Sequence, residues 1–289
     1  MKKIMTLIIV QLAASVAFAQ NSELVIHQDC ENGIEQKSPY DGHTYTYVDL
    51  GLPSGIKWAT CNVGADNPWD FGGYFAWGET VPYGKSDVSN AHNHDYTGNT
   101  SYVKTYFDME TYKYSTICNN VWCLTKYNSD KDYGTVVDNK TTLDLEDDAA
   151  HVNMGGSWRM PTINEYDELI QYGCWVWTNN YNKTGVAGCI VYKAKNDLDK
   201  GAENGFHKYL IGSYSLSDVH VFFPAAGLFR GSILDFSNSS CFYWSSSVSN
   251  RSGSGFASYL EVYDSDMLNG VRKGGFSYSF GMSVRGVKK

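Results

Sequence analysis

The chain has 289 residues and a formal net charge of −8, with 31 Asp and Glu against 23 Lys and Arg. An acidic balance without a cluster of Lys and Arg excludes nucleic acid as a partner, because binding phosphates needs gathered cations. The length exceeds the ~150 residues of a common domain but is within reach of β-rich single domains of ~250.

Lys2 and Lys3 precede an apolar run from Ile4 to Val16, and Ala17-Phe18-Ala19 has the small-x-small form of a signal-peptidase site. The run is too short, and too soon followed by polar residues, to cross a membrane as a helix. Residues 1–19 are therefore expected to be a cleaved leader. The exported product, periplasmic, cell-surface or secreted, would carry no transmembrane segment and would be more acidic by the two lysines lost. Cys30 lies well beyond the cleavage site, so no lipoprotein anchor is expected. The cysteines number seven and all fall in the exported part, so at least one is unpaired or pairs between chains. Cys118 with Cys123, and Cys174 with Cys189, are near enough in sequence to form disulfides; the connectivity stays open.

Residues 20–40 are polar and aperiodic and read as a flexible N-terminal arm. Thr44 to Leu50 and Ile56 to Val63 are β-prone runs around the turn Leu52-Pro53-Ser54-Gly55, hence a hairpin. Gly72 to Gly78 is a short aromatic strand bracketed by glycines. From about 82 to 142 the chain is polar and irregular, a long insertion within one domain spanning 41–289. Then comes Gly155 to Ile170, where local signals agree. Thr162 and Glu165 form a capping box, Pro161 holds Met160 extended, and Ile163, Tyr166, Leu169 and Ile170 share a helical face ending at Gly173. Short β-prone segments follow at 175–177, 187–193, 219–223, 243–247, 256–263 and 278–287. Strand alternation turns Phe256, Leu260 and Val262 inward and Tyr259, Glu261 and Tyr263 outward. The tryptophans at 58, 77, 158, 175, 177 and 244 fall in these segments as core candidates. The class is α+β, mostly short antiparallel strands with one or two helices and long irregular loops.

Tyr47 to Gly55, Lys57 to Ala65, Tyr74 to Glu79, Asp147 to Ala150, Gly155 to Thr162, Phe223 to Gly227, Tyr243 to Ser247 and Gly281 to Arg285 together resemble the Fibrobacter succinogenes major paralogous domain family of exported Bacteroidetes proteins. The resemblance runs from about Tyr45 to Val287. That family is in turn similar to the C-type-lectin-like fold in its formylglycine-generating-enzyme variety. The resemblance implies an α+β body whose termini meet in one sheet, with long loops on one side. It also implies an adhesin-like, variable ligand-binding role, the ligand being a surface glycan, a protein or a cell-envelope component.

No Gly-x-Ser-x-Gly elbow, phosphate-cradling loop or His-Glu-x-x-His motif is present, and no residue set stands out as catalytic. Cys118-Asn-Asn-Val-Trp-Cys123 has the spacing of the thiol pair in formylglycine-generating enzymes but precedes the Met-Pro-Thr corner instead of following it. A local disulfide or two plain thiols is the favoured reading, and an enzyme of that or a hydrolase type is the alternative. Asn128 to Gly134 sets oxygens at alternate positions, and Asp130, Asp132, Asp147 and Asp148 could ligate calcium. The spacing departs from an EF-hand, which needs Gly sixth and Glu twelfth. A non-EF calcium site and a solvated acidic turn both remain open; no other cofactor is expected. His92 and His94 would offer two imidazoles, the minimum for a transition-metal site, but no third ligand is evident nearby and an exposed loop is the favoured reading. Between Ser232 and Ser283 the composition turns to Ser, Gly, Asn and Tyr with scattered Arg, which suits binding loops. Asn250, Arg251, Tyr263, Asp266, Asn269 and Arg272 are the expected contact residues. A purely structural envelope protein is the remaining alternative.

Overall fold

The computed structural model describes residues 44–82, 106–201, 213–250, 254–264 and 270–289, and the backbone of three two-residue strands between positions 27 and 35. The expected leader, His92, His94, Arg251, Asp266 and Asn269 lie outside the described residues. No helix among the described residues is long and apolar enough to cross a membrane.

Thr46–Val48 (β4) and Lys57–Asn62 (β5) form the expected antiparallel hairpin, with Val48 opposite Trp58. The segment read as an unstructured arm supplies backbone to it: His27–Gln28 (β1) pairs with β4, while Cys30–Glu31 (β2) pairs with Ile34–Glu35 (β3). Of the glycine-bracketed aromatic segment, Tyr74–Phe75 (β6) is strand.

The insertion is more ordered than its composition suggests. Ser115–Cys118 (β7) and Val121–Leu124 (β8) make a hairpin over Asn119 and Asn120, both left-handed at φ 50° and 66°. Asparagine tolerates that conformation, so Asn-Asn is a serviceable two-residue turn. Tyr112, Leu124 and Tyr127 from this region are buried in the main core.

Ala149–Met154 (α1) and Ile163–Tyr172 (α2) are the two α-helices among the described residues. The α2 capping box forms as read: the Glu165 amide donates to the Thr162 hydroxyl at 3.3 Å and the Thr162 amide to Glu165 Oε2 at 2.7 Å. Arg159 adds Nη1 to the same Oε2 at 2.8 Å and Nη2 to Oε1 at 2.5 Å. Gly173 does end α2, but with φ −76° it is not a left-handed cap. Its requirement is space, since a Cβ there would stand 2.5 Å from Val191 Cγ1 and 2.8 Å from the Leu169 carbonyl.

Gly173–Thr178 (β9), Gly188–Lys193 (β10) and His220–Pro224 (β11) form a three-stranded antiparallel sheet with β10 in the middle. Leu228–Arg230 (β12), Ile233–Asp235 (β13), Ser240–Val248 (β14), Phe256–Tyr263 (β15), Val271–Ser277 (β16) and Gly281–Ser283 (β17) build the largest sheet, in the order β13-β12-β17-β14-β15-β16, with β6 also on β17. Arg285–Lys288 (β18) leaves that sheet for the four-stranded one, in the order β1-β4-β5-β18. The two ends of the described chain thus meet in one sheet. Arg159 and Val287 exchange amide-to-carbonyl bonds of 3.0 and 2.8 Å, so the Trp-Arg-Met-Pro-Thr corner abuts the closing strand.

Apolar residues gather into two clusters, one on each face of the largest sheet. Phe242, Trp244, Ala257 and Tyr259 belong to one, and Cys241, Tyr243, Leu260 and Val262 to the other. This corrects the half-buried reading of β15: Tyr259 and Glu261 are 6% and 5% exposed, because the strand carries a core on both sides. Trp58, Trp77, Trp158, Trp175 and Trp244 are fully buried, and Trp177 is half-buried. Each such ring removes ~150–250 Å² from water, roughly 4–6 kcal/mol before the entropy of ordering it.

Candidate functional site

The end of β14, the outer face of α2 and the edge strand β16 enclose an open groove of about 730 Å³. α2 contributes Ile163, Asn164 and Asp167, β14 and its continuation Val248, Ser249 and Asn250, β15 Ser258 and Tyr259, and β16 residues 272–276. The sequence makes this shape in two ways. The Thr162 cap aims the first turn of α2 along the sheet, with the Ile163 amide held by Ser247 Oγ at 3.1 Å. Gly274 lets β16 close over the Tyr259 ring, where a Cβ would lie 2.6 Å from Cε1.

Polar groups on the groove are tied to one another. Arg272 grips Glu261 through two bonds, Nε to Oε2 at 2.6 Å and Nη2 to Oε1 at 2.8 Å, and its guanidinium lies 5.2 Å from the Tyr263 ring centre. The Tyr259 hydroxyl donates to Glu261 at 3.3 Å, and the Tyr259 ring stacks on Phe276 at 4.8 Å. Hydrogen bonding to Glu261 raises the affinity of the Arg272 guanidinium for its proton still further. Lys273 pairs with Asp167 across the groove. The Tyr259–Phe276 stack and the Arg272–Glu261 pair lie on one face of the β15–β16 edge and the Lys273–Asp167 pair on the α2 face, with Arg272 and Lys273 both solvent-exposed.

Of the expected contact residues, Asn250 and Arg272 line this groove, and Tyr263 stands beside Arg272. The sequence reading did not include Asn164, Asp167 or Lys273. An exposed polar residue on the first turns of a helix carries no local sign that a distant strand lies opposite.

The expected calcium ligands do not converge. Among the described residues the carboxylates whose oxygens come within 4.8 Å of one another are Asp144, Glu146 and Asp147. Asp147 is buried and receives Lys126 Nζ at 2.6 Å, Lys113 Nζ at 2.9 Å, the Tyr127 hydroxyl at 2.6 Å and the Tyr114 hydroxyl. Burial pushes its carboxyl up, but the bonds from Lys126, Tyr114, Tyr127 and Lys113 outweigh that and hold it below the usual carboxylate range. Two ammonium groups thus stand where a cation would have to bind. Asp148 caps α1 by accepting from the His151 amide at 2.9 Å and holds the Met160 amide at 2.8 and 3.0 Å. Asp130 Oδ1 accepts from the Asp132 amide at 2.9 Å within its own loop. The acidic residues are structural acceptors in this arrangement.

Neither of the cysteine pairings that the sequence left open is formed, and for Cys118 and Cys123 this is the plain-thiol alternative. Cys118 and Cys123 are free thiols placed diagonally across the β7–β8 hairpin, and the hydrogen bond with Cys123 pushes the Cys118 thiol up. Cys174 and Cys189 belong to opposite clusters because they fall on opposite faces of the three-stranded sheet. Burial pushes the Cys174 thiol up to about 11, consistent with an inert core residue.

No family model, no curated protein and no solved structure matches the chain.

Proposed function

We propose that the protein is an exported, non-enzymatic ligand-binding domain, adhesin-like in role, which recognises a surface glycan, protein or cell-envelope component through the groove between α2 and β16. The observation that carries this reading is that Asn250, Arg272, Tyr259 and Asp167 all border one open groove at the edge of the sheet. Asn250 and Arg272 come from the stretch whose Tyr, Ser, Gly and Asn composition suits adaptable contacts. The resemblance to the Fibrobacter succinogenes major paralogous domain family, and through it to the C-type-lectin-like fold, is part of this proposal. It is supported by the strand-rich body, the termini sharing one sheet and the corner lying against the closing strand.

The test is an array of immobilised glycans and extracellular proteins probed with the natural chain and with Asn250→Ala and Lys273→Ala. Both residues are exposed, so their loss should leave the melting temperature unchanged while removing bound spots. Binding that both variants retain would move the site elsewhere, and an array without any hit would favour a structural envelope component.

A further inference from the structure

A second concavity lies on the three-stranded sheet, away from the groove and sharing no residue with it. Pairing of β9 with β10 sets Val176 opposite Ile190, and Tyr192 follows Ile190 on the same face. These side chains floor a cleft of about 310 Å³, walled by Tyr181 and Tyr214 and edged by Thr178, Asn180, Asn182 and Ser215.

The walls are fixed by bonds that point away from the cleft. Tyr181 stacks on Phe222 with ring centres 3.9 Å apart and planes 6° apart, and its hydroxyl meets His220 Nε2 at 2.9 Å. His220 Nδ1 faces the Asp218 carbonyl at 2.8 Å and must carry the proton there, so Nε2 accepts from Tyr181. The Tyr214 hydroxyl donates to Asp199 at 2.6 Å and accepts from the Lys195 amide at 2.8 Å. The Tyr192 side chain, by contrast, lines the cleft with no hydrogen bond from its hydroxyl to a described residue. At the mouth, Asn182 takes the left-handed conformation that asparagine tolerates, at φ 45° and ψ 33°.

Three features select an occupant. Among the described residues no charged side chain lines the cleft, so a carboxylate, phosphate or ammonium would be desolvated there without a counter-ion. A wholly apolar guest would leave the Tyr192 hydroxyl and the asparagine amides unmatched. The volume sits at the small end of the ~300–1,000 Å³ range of ligand pockets. A sugar ring meets all three conditions, with C–H faces to lay on fixed tyrosines and a rim of uncharged hydroxyls for Tyr192, Asn180 and Asn182. We infer that this cleft binds a single neutral hexopyranose unit, at a site separate from the groove.

Saturation-transfer NMR on the full exported chain with D-glucose, D-mannose, D-galactose and N-acetyl-D-glucosamine tests the inference. Transfer to the ring protons of at least one sugar is expected. Tyr192→Phe, which removes one oxygen and keeps the ring, should weaken that sugar about tenfold, the worth of one net hydrogen bond. Tyr214→Ala should abolish the signal, and Lys131→Ala, at an exposed side chain that lines neither concavity, should leave it intact. Absence of transfer from all four sugars overturns the proposal, as does transfer undiminished in Tyr192→Phe. A signal lost in Asn250→Ala and kept in Tyr192→Phe assigns sugar binding to the groove and also overturns it. Should Tyr214→Ala fail to fold, Tyr192→Phe decides alone.

Discussion

Arg272 illustrates how a residue chosen for exposure becomes partly structural once its neighbour is seen. Its side chain is 58% exposed, yet the Glu261 carboxylate it grips is 7% exposed. Truncating the arginine leaves a buried acid short of its charged partner, which costs more than an exposed ion pair contributes. Arg272→Ala is therefore expected to lose about 1–3 kcal/mol of stability, and the double variant with Glu261→Gln to recover much of it; urea midpoints of the four proteins measure the coupling. Asp148 makes the contrasting case, because burial pushes its carboxyl up to about 6, against the lowering by the His151 and Met160 amides. Its unfolded value is near 3.8. Between those two values the folded chain holds a proton that the unfolded chain has released, so this residue's contribution to stability rises as pH falls from about 6 toward 3.8. Asp147 acts in the opposite sense: its depressed carboxyl stabilises above 3.8 and that contribution fades as pH drops further. Midpoints measured across this range should show natural chain and Asp148→Asn diverging on acidification, the asparagine variant lacking the rise; parallel curves would mean that Asp148 stays ionised.

At the scale of elements, what could be read in advance was what is written in consecutive residues. Thr162 and Glu165 lie three apart and close the capping box of α2 between themselves, so Thr162→Ala should cost about 1 kcal/mol, seen as a lower thermal midpoint with the circular-dichroism spectrum otherwise retained. Asn119-Asn120 carried an equally local signal for the β7–β8 turn, but it sat in a polar run whose composition argued for irregularity. The role of Gly173 was not legible, because the Val191 methyl that forbids a side chain there arrives from another strand. Gly173→Ala, which a local rule would score as harmless or favourable at φ −76°, is expected to destabilise by about 1–3 kcal/mol through overpacking. The faces of β15 were misread for a related reason. Period-two alternation distinguishes two sides of a strand, but Tyr259 and Glu261 look outward only while the second cluster over the sheet is unknown.

Across the whole molecule, three sheets are joined where β17 passes into β18, and one side chain sits at the seam. Arg285 is fully buried, donating from Nε to Asn62 Oδ1 at 2.9 Å, from Nη1 to the carbonyls of Ala59 and Thr60 at 2.9 and 3.0 Å, and from Nη2 to the carbonyl of Phe222 at 2.8 Å. β5 and β11 are thereby held together by a fork whose plane rests 4.9 Å from the Phe223 ring. The sequence showed an arginine in an apolar closing segment but not these acceptors, which lie far from it along the chain. A lysine offers three protons from one point and cannot span four acceptors on two sheets. Arg285→Lys should therefore lower stability by at least the ~1–3 kcal/mol of one orphaned buried acceptor. Arg285→Met, which fills the space without any donor, should lose several times as much or fail to fold. If methionine proved as stable as lysine in chemical denaturation, the guanidinium would be filling volume at the seam and its four bonds would not be what joins the sheets.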